Sequence, residues 1–328
     1  MKQIRPRLPG VGLLLRSAVI PAVLLFGTGM HMVMFVPAVH MAVVGAAGAL
    51  AATSAVSMSI VAARRNDGRA VWTGMAFSVI AMLLLIHGLA TPGVILPANA
   101  VVQVAGALNL PVCGAILAAS GLPILRRPRR VRLLLAVQLC VVAVLAVVGA
   151  AALVFSPDIA VVPDPSTAAA NLIVVVGAIP LALLAWRAGR TYLLARRRSD
   201  LIVVEGIVWL IGALYGLINF TMTDAAWWAA HLLEVGGIGM VAIPVALDLR
   251  HAVASRPLVG DLRAGHLVEH EEAFLGGRVR ALLVRLGEKD PSTEGHTRRV
   301  ATLAVAIGEH LGLPGGTAAP ARAGRPAP

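Results

Sequence analysis

Long apolar stretches separated by short polar segments fill the first 250 residues of the chain. Each stretch approaches or exceeds the roughly 20 apolar residues that a helix needs to cross a bilayer. The pattern therefore predicts an all-α fold, a polytopic membrane bundle of about eight helices. The predicted spans cover residues 11–30, 38–62, 71–91, 100–125, 132–155, 168–187, 201–220 and 225–247.

The composition supports this membrane assignment. Hydrophobic residues make up 58% of the chain and charged residues 13%, whereas soluble domains are about 45–50% apolar and about 25% charged. These values exclude intrinsic disorder and collagen, and they argue against an ordinary cytosolic enzyme. Cys113 and Cys140 both lie in apolar stretches, so neither a disulfide framework nor a cysteine-based zinc site is expected.

The positive charge is distributed in a way that predicts topology. Most of the net charge of +12 lies in short clusters between spans rather than in a nucleic-acid-binding stripe, so no nucleic-acid partner is expected. Lys and Arg are enriched in cytoplasmic loops. We therefore expect a multi-pass protein of a bacterial cytoplasmic membrane, in contact with lipid and with both termini in the cytoplasm. The clusters occur at 2–7, 64–69, 126–132, 187–198 and from Arg250 onward, while the alternate loops near 31–37, 92–99, 156–167 and 221–224 contain no Lys or Arg.

Four histidines of the membrane half fall in the outer third of the predicted bundle: His31, His40, His87 and His231. Met30, Met32, Met34, Met41 and Met222 lie at similar depth, and Glu234 is one turn below His231. Imidazole and thioether groups bind copper and haem iron, and intramembrane ionisable groups mark functional sites. We expect a sensor site for copper, haem or a small polar ligand that faces the outside. The alternative is that these histidines only hydrogen-bond to neighbouring helices or head groups.

A charged pair is also predicted within the membrane half. Arg16 and Glu205 both fall near the inner ends of their spans, where pairing would reduce the cost of burying each charge. Alternatively, Arg16 extends its side chain to the cytoplasmic face.

The composition changes after Arg250. Residues 251–290 are predicted to form a cytoplasmic linker helix, because Val268, Leu275, Val279, Leu282 and Leu286 follow a heptad-like spacing. Such a stripe fits a homodimer formed through residues 262–290, and it equally fits a helix packed on its own domain. A second helix is predicted from near 294 to 311, followed by a disordered, low-complexity tail at 314–328.

The segment 281–314 resembles the opening of an HD-GYP domain, in which an Asp-Pro-x-Thr turn precedes a Gly-His-x-x-Arg-Val helix that closes with Leu-Gly-Leu. The residues that carry the resemblance are Asp290, Pro291, Thr293, Gly295, His296, Arg299, Val300, Leu311, Gly312 and Leu313.

This resemblance implies a membrane signalling receptor with a cytoplasmic phosphodiesterase that hydrolyses cyclic di-GMP at a di-metal centre of iron or manganese. His296 is the family ligand that carries over. The His-Asp pair and the Gly-Tyr-Pro signature of the family do not follow it, so residues 291–313 correspond to the N-terminal fragment of the domain. Two-metal hydrolysis needs several ligands. We therefore expect this chain to be inactive as it stands, to lack the metal, and to act on cyclic di-GMP only if the domain were complete.

Two other classes of function remain open. A transporter or channel would use broken helices with polar groups at the midplane, and the sequence contains no clear internal repeat to favour it. A non-catalytic regulator would dimerise with a complete partner through residues 262–290.

Overall fold

The computed structural model describes residues 9–28, 31–122, 125, 131–155, 163–195, 197–250, 285 and 289–310. These residues form an all-α structure, which confirms the predicted fold class. Their helices are α1 (Pro9–Ser17), α2 (Val19–Thr28), α3 (Pro37–Arg65), α4 (Gly68–Leu89), α5 (Ala100–Ala119), α6 (Val131–Phe155), α7 (Ala168–Ala195), α8 (Arg198–Asn219), α9 (Ala225–Arg250) and α10 (Pro291–His310).

Among the described residues, eight segments are long and apolar enough to cross a bilayer, and they coincide with the eight predicted spans. The protein is therefore a multi-pass membrane protein. The first span consists of two short helices, α1 and α2, which meet at Ala18. Pro21 follows three residues later, and because it has no backbone N–H it cannot bond to the carbonyl of Ser17. The missing hydrogen bond accounts for the break.

The spans differ in how deeply they are buried. In α4, 72% of the apolar 18-residue stretch that could cross the membrane is buried, because this helix packs against α3, α5 and α6. In α6 the buried share is 11%, and its main neighbours are α4 and α3. Leu139, Val147 and Val154 of α6 are exposed, as expected of side chains that face lipid. The helices α4 and α6 are thus the central and the peripheral members of the bundle.

The two ends of the bundle carry different loops. At one end, each of the loops 31–36, 90–99, 163–167 and 220–224 contributes residues to the lining of a common cavity, and none of these described stretches contains Lys or Arg. We call this the histidine end. At the opposite end, Arg64 in the last turn of α3 and Arg69 in the first turn of α4 flank the connection between these helices. Asn66 turns the chain there with a left-handed backbone (φ 58°), and Asp67 caps α4 by accepting hydrogen bonds from the Arg69 and Ala70 amides.

The helix α10 begins three residues earlier than the sequence pattern predicts. Asp290 caps it by accepting hydrogen bonds from Thr293 and Ser292. The side-chain hydrogen bond from Thr293 is the main reason why the pKa of Asp290 falls to about 2. Val300, Leu303 and Ile307 form an exposed stripe along this helix. Residues 251–284 and 286–288, which make up most of the predicted linker and of the proposed dimerisation segment, lie outside the described residues, as does the whole tail 314–328.

Candidate metal centre

Three helices bring one histidine each to the histidine end. His40 lies in the first turn of α3, His87 in the last turn of α4 and His231 in the second turn of α9. The helices α3 and α4 form an antiparallel hairpin, so the start of one and the end of the other reach the same depth. Because α9 packs along α3, the third histidine joins them. All three side chains are buried.

The Nε2 atoms of the three rings point toward one another. His40 Nε2 lies 3.2 Å from His231 Nε2 and 3.2 Å from His87 Nε2. One ligating nitrogen from each residue falls within 4.8 Å of both others. The two distances of 3.2 Å suit ligands of a single ion, since metal–nitrogen bonds of about 2.0–2.1 Å place two ligands of one metal a little over 3 Å apart. We call these three residues the histidine cluster.

The opposite nitrogen of each ring is held by an oxygen atom of the protein. His87 Nδ1 lies 2.6 Å from the carbonyl oxygen of Val102, and His231 Nδ1 lies 3.0 Å from that of Trp227. His40 Nδ1 lies 3.0 Å from the hydroxyl of Thr91. Metal-binding histidines almost always make such a hydrogen bond with the nitrogen that does not bind the metal. The arrangement fixes the orientation of all three rings.

The partner of His87 is itself positioned by a helix cap. Asn99 caps α5 by accepting a hydrogen bond from the Val102 amide, and its side chain donates to the carbonyl of Ala90 beyond α4. This cap brings the first turn of α5 against the end of α4. One turn further, a Cβ atom on Gly106 would lie 2.9 Å from His87 Cε1. A glycine is therefore needed for the ring to lie this close to α5.

Aromatic side chains surround the outer part of the histidine cluster. The ring of Trp227 lies 4.1 Å from that of His231 and 5.1 Å from that of His40, measured between centroids. Phe35 lies 5.8 Å from His40 and contacts both Trp227 and Trp228. These rings limit the access of lipid and bulk water to two of the three histidines.

A cavity of about 350 Å³ opens beside the histidine cluster. All three histidines line it, together with residues of the four loops at the histidine end. Deeper in the bundle the lining includes Glu234, whose carboxylate accepts a hydrogen bond of 2.7 Å from Asn109. A metal held by three nitrogens would therefore keep an open coordination position toward a space that also contains a buried carboxylate.

The other residues predicted to be functional lie apart from the histidine cluster. His31 is exposed in the loop before α3, and its carbonyl accepts a hydrogen bond from the Ala225 amide. Arg16 is exposed and Glu205 is half-buried, and the described part of the chain contains no ion pair between them. His296 is exposed on α10, outside the metal-ligand group found among the described residues.

Sequence reasoning did not identify the residues that orient the rings. The sequence did not mark Thr91, Val102 or Gly106 as functional, because the chain is rich in small apolar residues. Their role depends on how α4 and α5 pack. Asn99 could have been found, since an asparagine directly before an apolar run is a typical helix cap. Asn109 stands out as an amide in the middle of an apolar span.

Comparison with known proteins returned no match: no family model, curated protein or solved structure corresponds to this chain.

Proposed function

We propose that this protein is a membrane receptor that binds a transition-metal ion at the histidine cluster. The observation that carries the proposal is the convergence of three Nε2 atoms whose rings are each held at Nδ1 by an oxygen atom. Such a set of neutral imidazoles is a common ligand set for zinc, copper, iron and nickel.

The placement of protons in the cluster supports a bound cation. Carbonyl oxygens only accept hydrogen bonds, so the Nδ1 atoms of His87 and His231 carry protons and their Nε2 atoms, in neutral rings, carry lone pairs. His40 Nε2 lies 3.2 Å from both and can donate a single proton. At least one close nitrogen–nitrogen contact therefore lacks a hydrogen between its atoms. A metal ion accepts all three lone pairs at once.

The same geometry favours a free ion over haem. A porphyrin fills four positions around its iron and leaves two axial sites for protein ligands. Three imidazoles that converge within 4.8 Å exceed that number. Of the two cofactors proposed from the sequence, this arrangement favours copper over haem.

The connection to a signalling output rests on α9 and on the chain that follows it. The helix α9 carries His231 near its start and ends at Arg250, where the linker begins. We propose that this end faces the cytoplasm, because Lys and Arg are enriched in cytoplasmic loops. We propose that metal binding outside is transmitted through α9 to an HD-GYP-like output, of which residues 291–313 form the beginning and in which His296 would be one metal ligand.

Metal analysis of the full-length protein in lipid nanodiscs tests the proposal. After incubation with zinc or copper and removal of free ion, we expect about one ion per chain, the load of one three-nitrogen site. The variant in which all three residues become asparagine (H40N, H87N and H231N) should bind none. The matched control is His31→Asn, since His31 lies at the same end but outside the cluster. A wild-type protein that retains no ion, or a triple variant that retains the same amount, contradicts the proposal.

A second measurement distinguishes a receptor from a transporter. In sealed vesicles that contain the protein, a receptor binds the ion without moving it into the lumen. Accumulation of the ion inside the vesicles, at a rate that depends on His87, would identify a transporter instead.

A further inference from the structure

We infer that the ion bound by the histidine cluster is copper, taken up as Cu(I), and that thioether groups at the mouth of the cavity capture it first. This inference rests on the proposed metal-binding function and specifies its ligand. It comes from the two loop segments that border the cavity, which the proposed function does not use.

These two segments are held together by backbone hydrogen bonds. The Val33 amide donates to the Thr223 carbonyl at 2.8 Å, and the Ala225 amide donates to the His31 carbonyl at 2.9 Å. Met32 and Asp224 form an isolated antiparallel bridge between these bonds. The loop before α3 and the loop before α9 therefore form one paired structure at the mouth. We call residues 31–35 and 221–225 the mouth segments.

The mouth segments expose three methionines. Met34 is 81% exposed, the highest value among the exposed large apolar side chains of the described residues, and Met32 is 79% exposed. Met222 is 45% exposed and lines the cavity itself. By contrast, Met58 and Met75 within the bundle are buried. Since methionine usually fills gaps in cores, the exposure of all three at one opening calls for a separate explanation.

The chemistry of these groups selects a soft cation. A thioether is an uncharged, polarisable ligand that binds Cu(I) well, whereas Mg²⁺, Ca²⁺ and Mn²⁺ prefer oxygen. Asp164 and Asp224 lie at the same end, and Asp164 lines the cavity. Carboxylates in loops without Lys or Arg attract cations of any kind. The mouth thus combines general attraction for cations with ligands that distinguish copper from zinc.

A direct path connects the mouth to the histidine cluster. Phe35 and Met222 belong to the mouth segments and line the same cavity as His40, His87 and His231. Met222 and the three histidines therefore border one continuous space, while Met32 and Met34 lie on the same mouth segments outside its lining. The aromatic rings near the cluster also favour the lower charge, because the cost of desolvating an ion rises with the square of its charge. Cu(I) is softer than divalent zinc and carries a lower charge, so the thioether groups and the aromatic surroundings both favour Cu(I) over zinc.

The competing explanation is that Met32 and Met34 only anchor the loop in the interfacial region of the bilayer. Leucine separates the two possibilities, since it keeps the apolar volume but lacks sulfur. The test variant therefore replaces Met32, Met34 and Met222 by leucine together. The matched control replaces Met75, Met82 and Met240 by leucine, because these three lie on the transmembrane helices α4 and α9, away from the mouth.

The experiment uses the full-length protein in nanodiscs under reducing conditions. Equilibrium affinities for Cu(I) and for Zn(II) are measured by competition with a chromogenic chelator for each ion. The loading rate is followed by stopped-flow fluorescence of Trp227 and Trp228, which lie beside the histidine cluster. We expect Cu(I) to bind at least about 100-fold more tightly than Zn(II).

We expect the mouth variant to load Cu(I) about 10-fold more slowly, while its equilibrium affinity for Cu(I) stays within about 3-fold because the nitrogen ligands are intact. The control variant should load at the wild-type rate. Equal or tighter binding of Zn(II) overturns the assignment of copper, and an unchanged loading rate in the mouth variant overturns capture by thioethers. Stoichiometric Zn(II) binding that requires His87 would leave the proposed function intact, whereas failure to bind either ion would refute both.

Discussion

Two buried polar clusters connect the same two helices, α3 and α4, to a third helix, and they differ in how their hydrogen bonds are arranged. Near the middle of the bundle, the amide nitrogen of Gln138 on α6 donates to Ser59 and to Ser78 at 2.9 and 2.8 Å. Ser59 lies 3.1 Å from the Gln138 carbonyl oxygen and Ser78 donates to the Gly74 carbonyl. The Ser59 hydroxyl also lies 2.8 Å from the Ala55 carbonyl of its own helix and can donate its single proton there, so the two bonds from the Gln138 amide nitrogen that join the helices each have a donor and an acceptor.

At the histidine end the close contacts join nitrogen atoms that compete for too few protons. The Gln138 cluster is therefore complete without a ligand and serves to hold helices together, as polar side chains do in membrane bundles. We propose that a cation completes the histidine cluster. The comparison shows that burial and polarity alone do not identify a site; the balance of donors and acceptors does.

The largest expected effect comes from substitutions that remove a metal ligand from the histidine cluster. Replacing His40, His87 or His231 singly by asparagine removes one metal ligand. Outer-shell residues typically contribute 10–100-fold to metal affinity, so each single loss should weaken binding by more than about 100-fold. Competition with a chelator measures the affinity. Gln138→Leu is the control and should leave the affinity unchanged; equal losses in both clusters would mean that general packing explains the effect.

A smaller effect comes from moving a ligand without removing it. In Gly106→Ala the new Cβ would lie 2.9 Å from Cε1 and 3.0 Å from Nδ1 of His87, so the ring must shift. We expect a loss of affinity of about 10–100-fold, as for a change in the outer shell. Gly45→Ala is the matched control, since no atom lies within 4 Å of its added Cβ. The same chelator competition applies, and equal affinities in the two variants would count against the role of Gly106.

A still smaller effect is expected when the hydrogen bond to His40 is removed. Thr91→Val keeps the shape of the side chain but deletes the hydroxyl that lies 3.0 Å from His40 Nδ1. Affinity should fall about 10-fold, the lower limit for an outer-shell partner. Thr191→Val serves as control, because Thr191 is also buried but donates only within its own helix. Metal titration compares the two, and a loss of affinity in the control would show that the effect is not local.

The smallest effect concerns the Gln138 cluster. Gln138→Leu removes two hydrogen bonds between helices, and such interactions in a membrane protein contribute on average about 0.6 kcal/mol each. We expect a decrease of this order in the free energy of unfolding, measured in mixed micelles with increasing denaturing detergent, and no change in metal content. A loss of metal in this variant would remove the distinction between the two clusters.

The spans were predictable from the sequence because crossing a bilayer requires a minimum apolar length, which leaves a clear mark on composition. The depth of the histidines in the membrane was predictable from their positions within these spans and from the charges of the loops. The convergence of three of them did not, because it depends on the rotation of each helix about its axis. His31 shows the limit: it shares the depth of the others but lies in an exposed loop.

The partners of the rings were beyond sequence reasoning for a related reason. Val102 acts through its backbone carbonyl, which every residue possesses, and Gly106 acts through the absence of a side chain. Neither role can be recognised from the type of the residue. Gln138 was detectable as a lone amide in an apolar stretch, but its serine partners come from two other helices that only the fold brings together.

A proline within α9 affects how a structural change at the histidine end is transmitted along this helix. Pro244 lies within this helix, so the carbonyl of Met240 has no backbone N–H to bond. Proline is also the usual place at which a helix bends. Val245, directly after Pro244, is fully buried, so this point of α9 lies inside the packed bundle, about 9 Å before Arg250. We expect a tilt of the segment from His231 to Met240 to change the direction in which α9 runs toward Arg250.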